Sequence, residues 1–529
     1  MSSLEFHKEG ESASLYDAVR YPSHVHAQTH PERLATIASL FGMSPVPATR
    51  CRVLELGCGD ASNLLPMAWS LPESEFTGID LAARPIAAGR RTAEELGLRN
   101  LHLHQHDIRK MDPSSGPFDY IIAHGVYSWV PHPVRQQLIE LLQKCLAPQG
   151  VAFVSYNVLP GAQLLNMLRG MMLHHVRDLK TPADRLRQAF AFADFLNQGM
   201  AHADSAMGRW LHEELDRIRE LEPGHVFHDH LAEINDACHF TDFMGDARCH
   251  GLQYVGEADL RDMNESIFPH AARQLLDRLE GDRIRREQYL DFLRVRRFRQ
   301  SLLTHASIPV AHRPSARQIR RMMLQCSFES AGGPMDLRPG ISHRFVGPKG
   351  QAVESDLPLG KASLTILQKR GPIAVPYDEL LRSSAHQLEA ASVHGEAGAP
   401  QQEAFDGFLL ALALAGVVKL HSWQAEMPVA PSDRPVASPL ARIQIRTSPT
   451  VTTLHHQLVK LEDEVGRTLI ALLDGTRDVT ALKRDLVAEL EGKGILDAAS
   501  PHTEKARREV ETGLENNLRQ LCRMGLLIA

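Results

Sequence analysis

The stretch that decides the fold is residues 51–68, CRVLELGCGDASNLLPMA. An apolar strand, RVLEL, runs into a turn carrying Gly57 and Gly59 and out into a helix. Glycines in such a turn let the backbone come close to a ligand. The same rhythm surrounds it up to about residue 160. EFTGID, LHLHQHDI, FDYIIAHG and VAFVSYN read as strands. HPERLATIASLFGM, ASNLLPMAWSLP, ARPIAAGRRTAEELG and PVRQQLIELLQKCLAPQG read as helices, the last expected to end at Pro148 and Gly150. Strands alternating with helices of this length imply a parallel sheet covered on both faces.

The ligand of the turn follows from charge. The third glycine of a dinucleotide fingerprint is replaced by Ser62, and no Lys or Arg lies within the turn. Glu55 sits in the strand before the turn, Asp80 ends the next strand, and Asp107 follows the third. Open α/β sheets bind ligands at this carboxyl edge. A pyrophosphate would face three acids. S-adenosylmethionine has no phosphate and carries a sulfonium and an ammonium, so it suits the acidic edge. Asp80 is expected to accept from the ribose hydroxyls and Asp107 from the adenine amino group. Glu55 is expected to orient the turn or face the methionine end.

The rest of the chain sets the frame. Its 529 residues exceed one hydrophobic core, which predicts about three domains. A net charge of -6 supplies no global attraction to nucleic acid or anionic membrane. Seven scattered cysteines without a CxxC pair argue against a disulfide framework and a structural zinc site. With no apolar leader at the N-terminus, the expectation is a cytoplasmic protein. The longest apolar run, 408–418, is too short to span a bilayer. Residues 161–245 read as mostly helical, GLQYVGEAD as a strand, and RREQYLDFLRVRRFRQSLLTH as a helix leading into another strand. Composition shifts near 310, and EMPVAPSDRPVASPLAR at 426–442 reads as a proline-rich linker. The expected domains are 1–310, with a helical insertion and regulatory segment at about 162–300, then 311–425 and 436–529. Each tail module ends in a helix and a short strand, AFDGFLLALALAGVVKLH and LENNLRQLCRMGLLIA.

VLELGCG, GIDL and HQHDI match the motifs of class I S-adenosylmethionine-dependent methyltransferases. Longer stretches narrow the likeness: YDAVRYPSHVHAQTHPERLATIASLFG, FDYIIAHGVYSWVP, SYNVLPG, HDHLAEIND, GLQYVGEADL, RVRRFRQSLLTH and LLDGTRDVTALKRDL. The chain resembles bacterial methyltransferases carrying a methyltransferase regulatory domain, among them protein lysine methyltransferases. The resemblance implies a Rossmann-like α/β sheet with a helical insertion, followed by two small winged-helix-like modules. It also implies an S-adenosylmethionine site at Glu55, Gly57, Gly59, Asp80 and Asp107, with Asn63, Leu81 and Ile108 beside them. His124 and Gly125 would lie near the methyl end, and Tyr16 and the QTHP around His30 would form an N-terminal lid. After SYN the family often reads Pro-Gly-Trp-His, whereas here it is Pro160-Gly161-Ala162-Gln163.

Methyl transfer to an amine needs the neutral amine, and lysine in water has a pKa of about 10.4. Desolvation by aromatic walls would assist proton loss. Tyr127 and Trp129 in HGVYSWVP, Tyr156 with Asn157, and His124 as a proton acceptor or donor are the catalytic candidates. No Asn-Pro-Pro-Tyr follows the fourth strand, which speaks against base and glutamine acceptors. HVFHDH, with His225, His228 and His230, fits no standard zinc spacing and is read as packing or substrate contact. The basic RIRREQYLDFLRVRRFRQ is read as a helix packed on the sheet, its arginines bonding acidic neighbours. The expected acceptor is protein lysine. The alternatives are a small-molecule acceptor and a non-catalytic cofactor-binding protein. A homodimer contact is expected in the helical insertion, 162–225, and no nucleic acid partner is expected.

Overall fold

The computed structural model describes residues 19–529 except 20, 23, 201–204, 327–328, 331–334, 347–349, 351, 394–398 and 497–502. Its centre is a seven-stranded sheet: β1 (Arg52–Leu56), β2 (Glu75–Asp80), β3 (Leu101–Gln105), β4 (Phe118–Ala123), β5 (Leu146–Asn157), β6 (Leu252–Glu257) and β7 (Phe298–His305). The order is β3-β2-β1-β4-β5-β7-β6. Strands β1 to β5 are mutually parallel, and β7 runs antiparallel to β5 and β6. The five parallel strands are those the alternation predicts, and the whole is the Rossmann-like sheet that the family resemblance implies. The order reverses at β1 and β4, so the crevice between their carboxyl ends is the natural ligand site.

Both faces of the sheet are covered, which explains the near-continuous apolar runs of β1 and β4. Val53, Phe76, Tyr120 and Phe153 face one core with Leu34 and Ile37 of helix Pro31–Leu40. Leu54, Ile121 and Val154 face the other with Leu138 and Leu142 of helix His132–Cys145. One expected boundary moves. The helix stops at Cys145, and Pro148 and Gly150 lie inside β5, where the register against β4 shifts. They interrupt a strand rather than cap a helix.

Helices Ala162–His175, Pro182–Gly199 and Ala206–Glu220 build a separate core around Leu168, Met172, Leu215 and Phe227. The basic helix Arg283–Arg294 packs against the sheet domain, Arg283 and Arg294 donating to backbone carbonyls of Val255 and Asn264. Arg286 bonds Glu265. Arg299 on β7 is fully buried and bonds Glu257 at 2.5 Å, Asp291 at 2.8 Å and Glu287 at 3.0 Å.

The two tail modules repeat one topology. In the first, Met323–Cys326 is a central strand paired antiparallel with Val375–Pro376 and Val418–His421, and helices Pro358–Arg370, Tyr377–Ala390 and Ala399–Leu414 lie between. In the second, Val436 bridges Asp474 and Ala437 bridges Leu527. Helices Glu464–Leu472, Val479–Gly492 and Thr503–Arg523 occupy the same places in chain order. Each module also inserts a hairpin before the first of these helices, His343–Val346 with Ala352–Ser355 and Thr450–Thr452 with Leu458–Lys460, and the second adds a short helix, Pro439–Gln444, ahead of its hairpin.

Candidate cofactor and acceptor site

The turn after β1 is shaped by glycines in left-handed conformations. Gly57 has φ 76° and Gly59 φ 55°, both left-handed. A Cβ on Gly57 would stand 2.8 Å from Val126 Cγ2, beyond the end of β4. Asp80 braces this turn: its Oδ2 accepts Gly59 N–H at 2.9 Å and its Oδ1 accepts Ala82 N–H at 2.8 Å.

Glu55 is buried, and its Oε1 accepts from Asn63 Nδ2 at 2.8 Å. Its Oε2 is buried with no hydrogen-bond partner. Burial pushes the carboxyl up to about 8. An orphaned carboxyl oxygen in this place favours a cationic partner, whose charge would draw the group into its ionised form. That fits the ammonium of S-adenosylmethionine better than a pyrophosphate. At the other end Asp107 is held by its own neighbour. It accepts Arg109 N–H at 2.9 Å and the guanidinium at 2.6 Å, and that pairing lowers its pKa. Leu81 is 40% exposed and Ile108 is half-buried, so this edge of the sheet is open.

His124 follows β4. Its Nδ1 meets Ser155 Oγ at 2.7 Å and its Nε2 meets His26 Nδ1 at 3.0 Å. Ser155 Oγ also accepts Gly125 N–H at 2.9 Å. Burial lowers His124 to about 4 and His26 to about 2, so both rings are neutral at physiological pH. Beyond them His24 stacks on His225 at 4.9 Å, and Tyr21 lies edge-on to His225 at 5.2 Å.

Other expected residues are placed differently. Tyr156 is fully buried, stacked on Phe243 at 4.1 Å, with its hydroxyl on Ser301 Oγ. Tyr127 is 3% exposed and packs edge-on to Tyr156 and Phe243. Both are core side chains and present no face to an acceptor; long apolar rings after strand ends are drawn into the sheet's own packing. Trp129 remains half-buried at the end of the turn Tyr127–Trp129. Tyr16 lies outside the described residues. His30 is no lid. Its Nδ1 caps helix Pro31–Leu40 through Glu32 N–H, and its ring stacks on Trp423 at 6.0 Å. The N-terminal side chain that meets His124 is His26, which no local pattern marks. Ala162 is buried and Gln163 exposed. His228 bonds the Val19 carbonyl, and no group of His, Cys, Asp and Glu able to hold a metal occurs among the described residues. No helix among them is long and apolar enough to cross a membrane.

The comparisons with known proteins agree with this geometry. Residues 53–150 match a methyltransferase domain, 222–305 a predicted methyltransferase regulatory domain, and 433–526 the C-terminal winged helix domain of PKMT. An uncharacterized protein of Rickettsia prowazekii, RP789, is 28% identical over 97% of this chain and 93% of its own length. A second, RP028, is 37% identical over 44% of this chain and 93% of its own length. The structure of PKMT2 from Rickettsia typhi is similar with TM-score 0.84 and 25% identity, covering 96% of this chain and all of that one. Its complex with AdoHcy gives TM-score 0.82 and 26% identity over the same shares.

Proposed function

The chain belongs to the S-adenosylmethionine-dependent methyltransferases that carry a methyltransferase regulatory domain, and on that premise we propose that its acceptor is the side-chain amine of a lysine in protein. S-adenosylmethionine supplies an already activated methyl group, so the protein's work is alignment and exclusion of water. Glu55 Oε2 receives the cofactor's ammonium, Asp80 holds the turn beneath the ribose, and Asp107 lies toward the adenine.

The observation that carries the lysine reading is the neutral imidazole pair at the methyl end. A lysine ammonium must approach a sulfonium and shed its proton first. His124 and His26 add no positive charge there, because burial keeps them uncharged. Their low basicity makes them positioning and desolvating groups rather than strong bases. Desolvation of the amine lowers its pKa toward neutrality. The likeness to PKMT2 extends through both tail modules, which supports a protein substrate lying across them. Met167, Phe195 and Met207 on the helical insertion are exposed and would serve the contact between two copies.

The test is methyl-labelled S-adenosylmethionine with a bacterial lysate, beside Asp80→Ala. Label in acid-precipitable protein, recovered as methyl-lysine and lost in the variant, is the expected result. Label confined to soluble metabolites would replace the reading with a small-molecule acceptor. Cofactor binding without turnover on any fraction would leave a sensor.

A further inference from the structure

Asn63, which opens helix Leu64–Ser70 after the glycine turn, has every amide valence engaged. Its Nδ2 donates to Glu55 Oε1 at 2.8 Å and to Thr29 Oγ1 at 2.9 Å. Its Oδ1 accepts His26 N–H at 3.0 Å and meets His456 Nε2 at 2.9 Å. An amide oxygen cannot donate, so His456 carries its proton on Nε2. This imidazole comes from far away, 393 residues along the chain, on the C-terminal module.

The module is built to deliver it. His456 sits in the loop between Thr450–Thr452 and Leu458–Lys460, and is 6% exposed. Its φ is 55°, a left-handed conformation that side chains resist. The loop is closed by Thr453 N–H to the Gln457 carbonyl at 2.9 Å and His456 N–H to the Thr453 carbonyl at 3.0 Å. Leu454 N–H bonds the Gly525 carbonyl at 2.7 Å and ties the loop to the module's last turn. Burial holds the ring neutral, which the single donated hydrogen bond requires.

We propose that His456 is a positioning residue for the cofactor: its Nε2–H fixes the Asn63 amide, and through it Glu55 and the glycine turn, so that the C-terminal module completes the cofactor site from behind. The chemistry of the amide makes this directional. With its oxygen held by two donors, Asn63 must present its NH2 group to Glu55. Removal of His456 leaves one donor on that oxygen, and a flipped amide would set oxygen against oxygen at Glu55. Coupling of this kind is reciprocal, so a ligand that orders Glu55 must also steady the loop. The inference rests on the assignment of the Glu55 turn as the cofactor site.

The experiment uses the full chain and S-adenosylhomocysteine. In hydrogen exchange, ligand is expected to slow the amides of 57–60, which reports the site, and those of 453–457, which reports the coupling. Protection at 57–60 alone overturns the proposal and leaves the site standing; protection at neither overturns the site. In calorimetry, His456→Ala is expected to weaken binding about tenfold, the scale of one buried hydrogen bond. His456→Gln keeps an N–H donor and is expected to recover most of that loss. A wild-type Kd in folded His456→Ala overturns the proposal. Failure of the alanine variant to fold leaves the decision to the exchange experiment on the unaltered chain.

Discussion

The two tail modules share a strand order and the order of their three main helices, and meet the sheet domain in opposite ways. In the first, Leu324, Leu364, Phe405 and Leu412 belong to one continuous apolar core with Ile37 of the N-terminal helix and Val53 and Phe76 of the sheet. Its last strand leads into Ser422, whose N–H is accepted by the buried Glu32 carboxylate at 2.9 Å. The second keeps its own core of Leu469, Leu486 and Leu518. Its bonds to the sheet domain include His456 on Asn63 and Arg446 on Glu95. A shared apolar core cannot open without exposing large area to water, whereas a polar seam can be remade at small cost. The first module is therefore part of the foundation, and the second is the one whose docking a ligand could alter, as proposed for His456.

The largest effects should separate the two cores. Phe405→Ala removes a fully buried ring from the shared core, and a loss of about 3–5 kcal/mol is expected. Calorimetry should show the main transition of the sheet domain falling with it. Leu518→Ala should destabilise the second module and leave the main transition in place, seen as a separate, earlier melt. Equal shifts of a single transition in both variants would erase the distinction.

Most of the sheet domain could be read from the chain because its signals are local. RVLEL, two glycines and a helix lie within one stretch, and Glu55, Asp80 and Asp107 mark successive strand ends. The closing layer could not be read. His26 and His456 reach Asn63 from 37 and 393 residues away, with no periodicity to announce them. Tyr127 and Tyr156 carried the opposite error. An aromatic after a strand end looks the same in sequence whether it walls a pocket or fills a core, and only Phe243, on a distant helix, decides it. Pro148 and Gly150 misled for a related reason: a β-strand tolerates them where its register shifts.

The next effect is a pH dependence confined to the polar seam. Glu55 has its folded-state pKa raised to about 8 by burial. The unfolded carboxyl ionises near 4.3. Between those values the folded protein holds a proton at Glu55 that the unfolded chain has lost, so the contribution of this group to stability falls as pH rises through this window and levels above it. Glu55→Gln should flatten that decline in the ligand-free protein, measured as melting temperature from pH 5 to 9. Binding of S-adenosylhomocysteine near pH 7 should release a proton as the carboxylate ionises against the ligand's ammonium. Calorimetry in buffers of different ionisation enthalpy would detect it, and Glu55→Gln should abolish it. Equal proton release in the wild type and in Glu55→Gln would detach Glu55 from the cofactor's charge.

The smallest effect tests what holds the second module in place. Arg446 and Glu95 lie 2.5 Å apart across the seam, with side chains 58% and 47% exposed. Solvent screens such a pair, and the ordering of two long side chains offsets most of the attraction. Arg446→Ala should therefore change stability by less than about 1 kcal/mol and leave the Kd for S-adenosylhomocysteine unaltered. The contrast with His456→Ala is the informative quantity, because both substitutions remove one polar contact across the same seam. A tenfold loss of affinity in one and none in the other places the coupling in the buried imidazole. Similar losses in both would mean that any loosening of the module is felt at the cofactor, and that its docking as a body, rather than the Asn63 amide, carries the effect.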